Sequence, residues 1–186
     1  MKDLDFIIKL YRYFSQFVPK PVLKKMFVQQ RGTRRSGYEE LETEILSAGD
    51  EQRIDDIEKF VLSINEKYVS DRIKNTSGII LFVEYGQFTV DRNVELGVKE
   101  QLAVTVVHDF SFVNNDNINE VLIMNHCLQV LNTIISRMQE EQSELNFCVN
   151  EKLIDSPVEY NVVDPVTFYG FGGWSAIFNN ANTILI

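Results

Sequence analysis

The chain of 186 residues contains little cysteine and little histidine, with two of each. Cys127 and Cys148 cannot form a framework of several disulfides or a zinc site of four cysteines. His108 and His126 are the only histidines, and no Cys-x-x-Cys, His-x-His or His-Glu-x-x-His spacing is present. These are the spacings from which metal sites are recognised in a sequence. We therefore expect no metal and no other cofactor.

Long apolar runs are also missing. The longest unbroken one, Ile79–Val83, is far shorter than the roughly 20 residues that span a bilayer. The first residues carry Asp3 and Asp5 where a signal peptide has a basic region. We expect a protein that is made and kept in the cytoplasm, with no membrane partner.

The sequence lacks the common motifs of nucleophilic catalysis and phosphate binding. There is no Gly-x-Ser-x-Gly elbow, and Gly170–Gly173 has the spacing of neither a P-loop nor a dinucleotide fingerprint. That glycine-rich stretch leads into an apolar strand pattern, which favours a hairpin or a bulge with Phe171 and Trp174 packing nearby. Together these absences favour a protein that works through its surfaces and is not an enzyme.

Charge is distributed unevenly along the chain. Residues 1–36 hold nine Lys/Arg and two Asp, a net charge of +7, whereas residues 37–186 hold nine Lys/Arg and 25 Asp/Glu, a net charge of −16. The acidic body argues against sequence-specific binding of nucleic acid. The basic segment favours docking on the acidic body of a neighbouring copy, with a solvated arm as the alternative. The candidate interface residues are Lys20, Lys24, Lys25, Arg31, Arg34, Arg35, Phe6, Tyr11 and Phe14.

Residues 1–36 are interpreted as a basic amphipathic arm that precedes a single domain, 37–186. Residues 3–18 have the period of an amphipathic helix, which ends before Pro19. Its aromatic face is expected to pack on protein, and the alternative is an anionic membrane surface. After a flexible linker at 31–36, helices are predicted over 37–68, the first capped by Ser36 and the second beginning at Asp50.

Residues 78–186 are predicted to hold strands and one long helix. The strands lie near 79–90, 101–113, 146–150, 157–163 and 173–179, and the helix runs from Asn117 to about Met138. Strands without regular helical crossovers indicate an α+β fold with a largely antiparallel sheet, one face of which the long helix covers. The core stripe of that helix is predicted to be Val121, Met124, Leu128, Leu131, Ile135 and Met138. His108 is expected to be a core or cavity histidine, and His126 is expected to be exposed or at an interface.

The order of these elements resembles that of tail-terminator and minor tail proteins of long-tailed bacteriophages. The resemblance covers Gly78–Phe178. It lies in element order and turn placement and rests on five pieces: Ile79–Tyr85, Leu102–Phe110, the helix Asn117–Met138, Val158–Pro165 and Trp174–Phe178. The first 36 residues and the long helical section after them depart from that pattern.

The resemblance implies a non-enzymatic structural protein that forms a ring, commonly a hexamer. Such a ring terminates the tail tube or joins it to the neck, so the implied partners are further copies, the tail tube and the neck or connector proteins. It also implies a phage or prophage origin, with assembly in the cytoplasm and final residence in the virion tail.

Other functions stay open at this point. One is an α+β interaction or adaptor module that has a separate partner and no catalytic activity. Another is a small ligand-binding domain or enzyme with a pocket near His108. A third is a membrane-surface protein that uses the helix at 3–18.

If the basic segment contacts the acidic body of a neighbour, assembly depends on salt. Raising the ionic strength from about 0.05 to 0.5 M shortens the range of such attractions and should lower the average mass in light scattering. A mass that does not change with salt would leave apolar contacts as the force that drives assembly.

Overall fold

The computed structural model describes residues 6–28, 33–63, 73, 76–91, 97–111, 116–144 and 152–181. Within these residues the fold is α+β, as the sequence predicts. The helices are α1 (Phe6–Ser15), α2 (Lys20–Val28), α3 (Tyr38–Ser47) and α4 (Asn117–Glu144), and the strands are β1 (Ile57–Ser63), β2 (Ile79–Asp91), β3 (Gly97–Asp109), β4 (Lys152–Val163) and β5 (Phe171–Ala181). The strand predicted at 146–150 lies outside the described residues.

The five strands form one sheet in the order β1-β2-β3-β5-β4. Strand β1 pairs with β2 in parallel, and the other three pairings are antiparallel, so the prediction of a largely antiparallel sheet is confirmed. The outermost described strands are β1 and β4, which leaves one backbone edge of each unpaired by a described strand.

The two faces of the sheet bury different side chains, because successive residues of a strand point to opposite sides. Leu81, Val104 and Phe178 point to one face, where they share a core with residues of α1, α2 and α4. This is called the helix side, and the long helix α4 covers it as predicted. The opposite face carries Phe82 and Val107 and is called the open side; it packs against Ile73 and against Phe168, which follows β4. No helix in the described part of the chain is both long and apolar enough to cross a membrane.

The N-terminal helices belong to the main core. Leu10, Phe14 and Phe17, from α1 and the turn that follows it, are fully buried together with strand residues of the helix side. Leu23 and Phe27 of α2 are buried in the same cluster. The expectation that the aromatic face packs on protein is therefore met within the chain itself. The boundary predicted at residue 36 does not separate two cores among the described residues.

Arg53 anchors the end of α1. Its side chain is 6% exposed, and Nη1 donates to the carbonyl oxygens of Ser15 and Val18, both at 2.6 Å. The Ser15 carbonyl lies at the end of α1, where the helix dipole attracts a cation, and the Val18 carbonyl lies in the turn that follows. The backbone N–H of Ile54 also donates to the carbonyl of Phe17, at 2.9 Å. The end of α1 is thus held by the loop that leads into β1.

A second polar contact joins α1 to the end of α4. The Tyr13 hydroxyl donates to Glu141 Oε2 at 2.7 Å, and Gln52 Nε2 donates to Glu141 Oε1 at 2.5 Å. Arg137 Nη1 donates to the carbonyl of Gln52. One carboxylate therefore connects three segments that are far apart in the sequence.

The helix predicted from Asp50 to about residue 68 is wrong. Residues 50–56 form turns, and β1 begins at Ile57. Both faces of β1 are partly buried, with Phe60 on the helix side and Val61 on the open side. A strand buried on both faces loses its alternating pattern, and its apolar residues then mimic a helical stripe. Residues 64–68 lie outside the described residues.

The predicted cap of the helix after residue 36 also needs correction. Helix α3 begins at Tyr38, close to the prediction, but its N-cap is Gly37, in a left-handed conformation with φ of 84° and no side-chain cap. Ser36 therefore does not cap it. The cap of α4 is Asp116, whose Oδ1 accepts the N–H groups of Ile118 and Asn119. A carboxylate at this position satisfies the free N–H groups of the first turn.

We expect Gly173→Ala to lower the free energy of unfolding by about 1–3 kcal/mol, the usual cost of forcing extra atoms into a packed site. A Cβ at this position would overlap the carbonyl of Val106 and lie 2.8 Å from Cα of Val107, both backbone atoms of the paired strand. Urea unfolding measures the change. The matched control is Gly49→Ala, whose Cβ would meet only the flexible Glu51 carboxylate. Equal stability of the two variants would contradict this account of the β3–β5 pairing.

Candidate functional site

A cleft lies on the open side of the sheet. Its floor follows a row of paired positions, in which Phe82 lies beside Thr105 and Thr105 beside Ser175, with Asn161 at the outer edge. Thr105 and Ser175 are small, and so is Ala103 farther along the same face. Small side chains at these adjacent positions leave room for a depression in this face of the sheet. The sequence determines this cleft through side-chain size at paired positions.

The cleft has a volume of about 270 Å³. The segment that joins β4 to β5 closes one end of it with Asp164, Thr167 and Phe168. Tyr169 and Gly170 in this segment have positive φ angles of 54° and 86°, which lets the chain turn back into β5. The glycine-rich stretch thus serves a hairpin, with Phe171 and Trp174 packed on opposite faces of the sheet.

The lining of the cleft is both acidic and aromatic. Glu84 and Asp164 supply carboxylates, and Thr105 donates a hydrogen bond to the Ser175 hydroxyl at 2.8 Å. Asp164 Oδ1 also accepts the backbone N–H of Val166 at 2.9 Å, which orients that carboxylate. The Phe82 and Phe168 rings stack with centroids 6.3 Å apart. An acidic lining beside apolar atoms suits a cation carried on an apolar stem.

His108 does not line this cleft. It points to the helix side from β3, whereas the cleft is on the open side, and its Nδ1 lies 2.9 Å from the carbonyl oxygen of Asp109. It is half-buried. The cleft is therefore not the pocket that was expected near His108, because adjacent residues of a strand face opposite sides.

A second candidate surface lies at the start of α4. Ile118, Val121 and Leu122 are 72%, 59% and 59% exposed. They follow the i, i+3, i+4 spacing, so they are neighbours on one side of the helix. This group is called the α4 apolar surface. Its exposure corrects the predicted core stripe, which included Val121; Leu131, Ile135 and Met138 of that stripe are buried.

The edge strand β4 also exposes apolar side chains. Tyr160 and Val162 pair with Ala176 and Trp174 and therefore point to the helix side, and both are exposed. Partial burial raises the pKa of Tyr160. Trp174 donates from Nε1 to the carbonyl of Met124 in α4, at 3.1 Å. The edge strand and the first half of α4 therefore meet through Trp174.

The aromatic candidates of the basic segment lie in different surroundings. Phe14 is fully buried in the chain's own core, which makes it unavailable to a neighbouring copy. The Tyr11 ring packs on Phe60 of β1 with centroids 5.2 Å apart, and burial raises its pKa to about 12. Phe6 begins α1. Sequence periodicity predicts that Phe14 and Tyr11 are buried. It does not predict that they pack against the sheet of the same chain.

Two of the candidate cations are paired within the chain. Lys20 Nζ lies 3.2 Å from Asp50, and its hydrogen bond is the main cause that lowers the pKa of that carboxyl. Arg34 contacts Glu39 and Glu42, and its guanidinium lies 4.7 Å above the Tyr38 ring. The basic segment thus meets part of the acidic body in its own chain.

The other cations form a different group. Lys24, Lys25 and Arg35 are exposed and make no ion pair within the described part of the chain. Arg31 lies outside the described residues. The basic candidates are therefore divided between side chains that hold the fold and side chains that remain at the surface.

The remaining titratable candidates lie on α4. His126 is partly exposed, with Nε2 3.6 Å from Asp56 Oδ2. Cys127 is buried, which raises its pKa to about 12 and keeps the thiol protonated at neutral pH. Among the described residues, no group of three or more His, Cys, Asp or Glu could hold a metal ion.

No protein-family model, no curated protein and no solved structure matches this chain.

We expect Tyr11 to make the stability depend on pH in the alkaline range. Its pKa is about 12 in the folded chain, above the ordinary value of 10.0, so its contribution is complete below about pH 10 and is lost as the pH rises above that. Between about pH 9 and 11.5 the free energy of unfolding of the unaltered chain should fall by on the order of 1–2 kcal/mol more than that of Tyr11→Phe. Urea unfolding across this range measures the difference. Tyr169→Phe, at an exposed tyrosine, is the control, and identical slopes for Tyr11→Phe and the unaltered chain would contradict the assignment.

Proposed function

We propose that this chain is a non-enzymatic assembly protein that forms a ring with copies of itself. Its place would be that of the tail-terminator and minor tail proteins it resembles, at the end of a phage tail tube or where the tube joins the neck. The observation that carries the proposal is the α4 apolar surface, together with the exposed side chains of the neighbouring edge strand β4.

The α4 apolar surface has the character of a contact region. Scattered exposed aliphatic residues are normal, but here three are adjacent on the first two turns of one helix. From Asn125 onward the exposed positions of α4 are polar, and they include Gln129 and Asn132. An apolar centre beside a polar rim is typical of a protein–protein interface.

The element order adds a second line of support. The five sequence pieces on which the phage-tail resemblance rests fall on β2, β3, α4, β4 and β5, and two of them continue into the turns after β3 and β4. The two sides of the sheet also differ in chemistry, with α1, α2 and α4 on one side and the acidic cleft on the other. A ring requires two different surfaces that meet head to tail, whereas a two-fold dimer uses one surface twice.

The proposal predicts a species several times heavier than the 21.5 kDa subunit. Light scattering over a range of concentrations should detect it, and negative-stain images should show closed rings. The resemblance implies that such a ring commonly contains six copies. The double substitution Val121→Glu with Leu122→Glu should reduce the mass to that of one subunit and leave the melting temperature unchanged. These side chains are exposed, and charge opposes burial of the surface.

The matched control carries the same added charge on the polar part of α4, as Gln129→Glu with Asn132→Glu, and should assemble like the unaltered chain. A strict monomer at every concentration would contradict the proposal, and so would a dimer that forms no ring.

A further inference from the structure

We propose that the open-side cleft of one copy binds the side chain of Lys24 or Lys25 from helix α2 of a second copy. The inference rests on the ring proposed above and names one of its contacts. It assigns the cleft and the two exposed lysines to the same head-to-tail interface.

The cleft has the chemistry that a lysine side chain requires. Glu84 and Asp164 make the lining of the cleft acidic, which favours an ammonium group, and the largely buried Phe82 and Phe168 rings add apolar atoms to the wall along which its stem can lie. A volume of about 270 Å³ lies just below the roughly 300–1,000 Å³ of pockets for drug-sized ligands, so an inserted side chain suits it better than a cofactor.

Lys24 and Lys25 are the cations best placed to enter such a cleft. They are consecutive residues on a helix held by Leu23 and Phe27, so their backbone is fixed by the core. Both are exposed, and neither makes an ion pair within the described residues. Lys20, one turn earlier on α2, is already engaged by Asp50. The chain thus uses one lysine to hold its own fold and leaves two available to a partner.

The placement of the two surfaces excludes contact within one chain. Helix α2 packs on the helix side of the sheet, whereas the cleft opens on the other side. A copy therefore cannot fill its own cleft with Lys24 or Lys25. Repeating such a contact from copy to copy gives a head-to-tail series, which closes into a ring when the rotation between copies permits.

A direct test is carbodiimide cross-linking, which joins an amine to a carboxylate only where the two touch. Protein labelled with ¹⁵N is mixed with unlabelled protein, cross-linked at low salt, digested and analysed by mass spectrometry. We expect bonds from Lys24 or Lys25 to Glu84 or Asp164 in pairs of mixed isotope composition. An assembled protein whose cross-links join other residues, or join these only within one chain, would overturn the inference and leave the ring standing.

Matched charge changes give a second test. Asn161 lies in the cleft wall, is exposed and makes no side-chain hydrogen bond within the described residues. Asn161→Lys should weaken association by about tenfold, and Asn161→Asp should preserve or strengthen it, as expected for one or two exposed charge pairs. Lys24→Glu with Lys25→Glu should weaken association at least as much, whereas Lys24→Arg with Lys25→Arg should not.

The dissociation midpoint is measured by light scattering, with the melting temperature as the check on folding. The inference is overturned if Asn161→Lys and Asn161→Asp assemble equally well, or if the lysine substitutions have no effect on an oligomer that forms. The same holds if spermidine, added as a free organic cation, binds in the cleft without lowering the mass. A chain that is monomeric under all conditions contradicts the ring itself. An oligomer that forms without the cleft–lysine contact contradicts only the present inference, so the two failures are distinguishable.

Discussion

The packing of α1 and α2 against the sheet is the constraint on which the other features depend. Phe14, Phe17 and Leu23 complete the core on the helix side, and Arg53 fixes the end of α1 and the following turn by donating hydrogen bonds to the carbonyls of Ser15 and Val18. The shared Glu141 carboxylate then joins α1 and the 50–56 turns to α4. Without this docking the helix side of β1 and β2 would be exposed, and Lys24 and Lys25 would have no fixed direction.

Small side chains shape the opposite side of the sheet. Thr105 and Ser175 sit in the central strands and pair with each other, while the bulk of Phe82 and Phe168 stands beside them. Helices α1, α2 and α4 cover one face, whereas the other face, as far as the described residues go, packs on Ile73 and on the turn between β4 and β5. The molecule therefore presents two unlike sides, and this difference is the physical basis on which we propose head-to-tail assembly.

The sequence predicts the second half of the fold well and the first half less well. The alternation around Val104 and the apolar run at Ile79 are local signals, so β2 and β3 are predictable. Strand β1 is not predictable, because a strand that is buried on both faces does not alternate between apolar and polar residues. The buried side of α4 is rotated from the predicted stripe, so that Val121 is exposed.

The cleft needs Thr105, Asn161 and Ser175 from three strands to be placed in one row, which depends on strand register and not on the local sequence pattern. Its lining residues were missed for that reason, and small polar residues at alternating strand positions were the only signal available.

The N-terminal helices and the sheet share one core, and we expect them to unfold as one cooperative unit. Native-state hydrogen exchange, followed residue by residue, tests this most directly, since segments that open separately exchange at a lower free energy than the core. The amides of Leu10 and Phe14 should be protected to the same free energy as that of Val104 in β3. Exchange of the α1 amides through a separate, lower-energy opening while β3 stays protected would contradict a single unit.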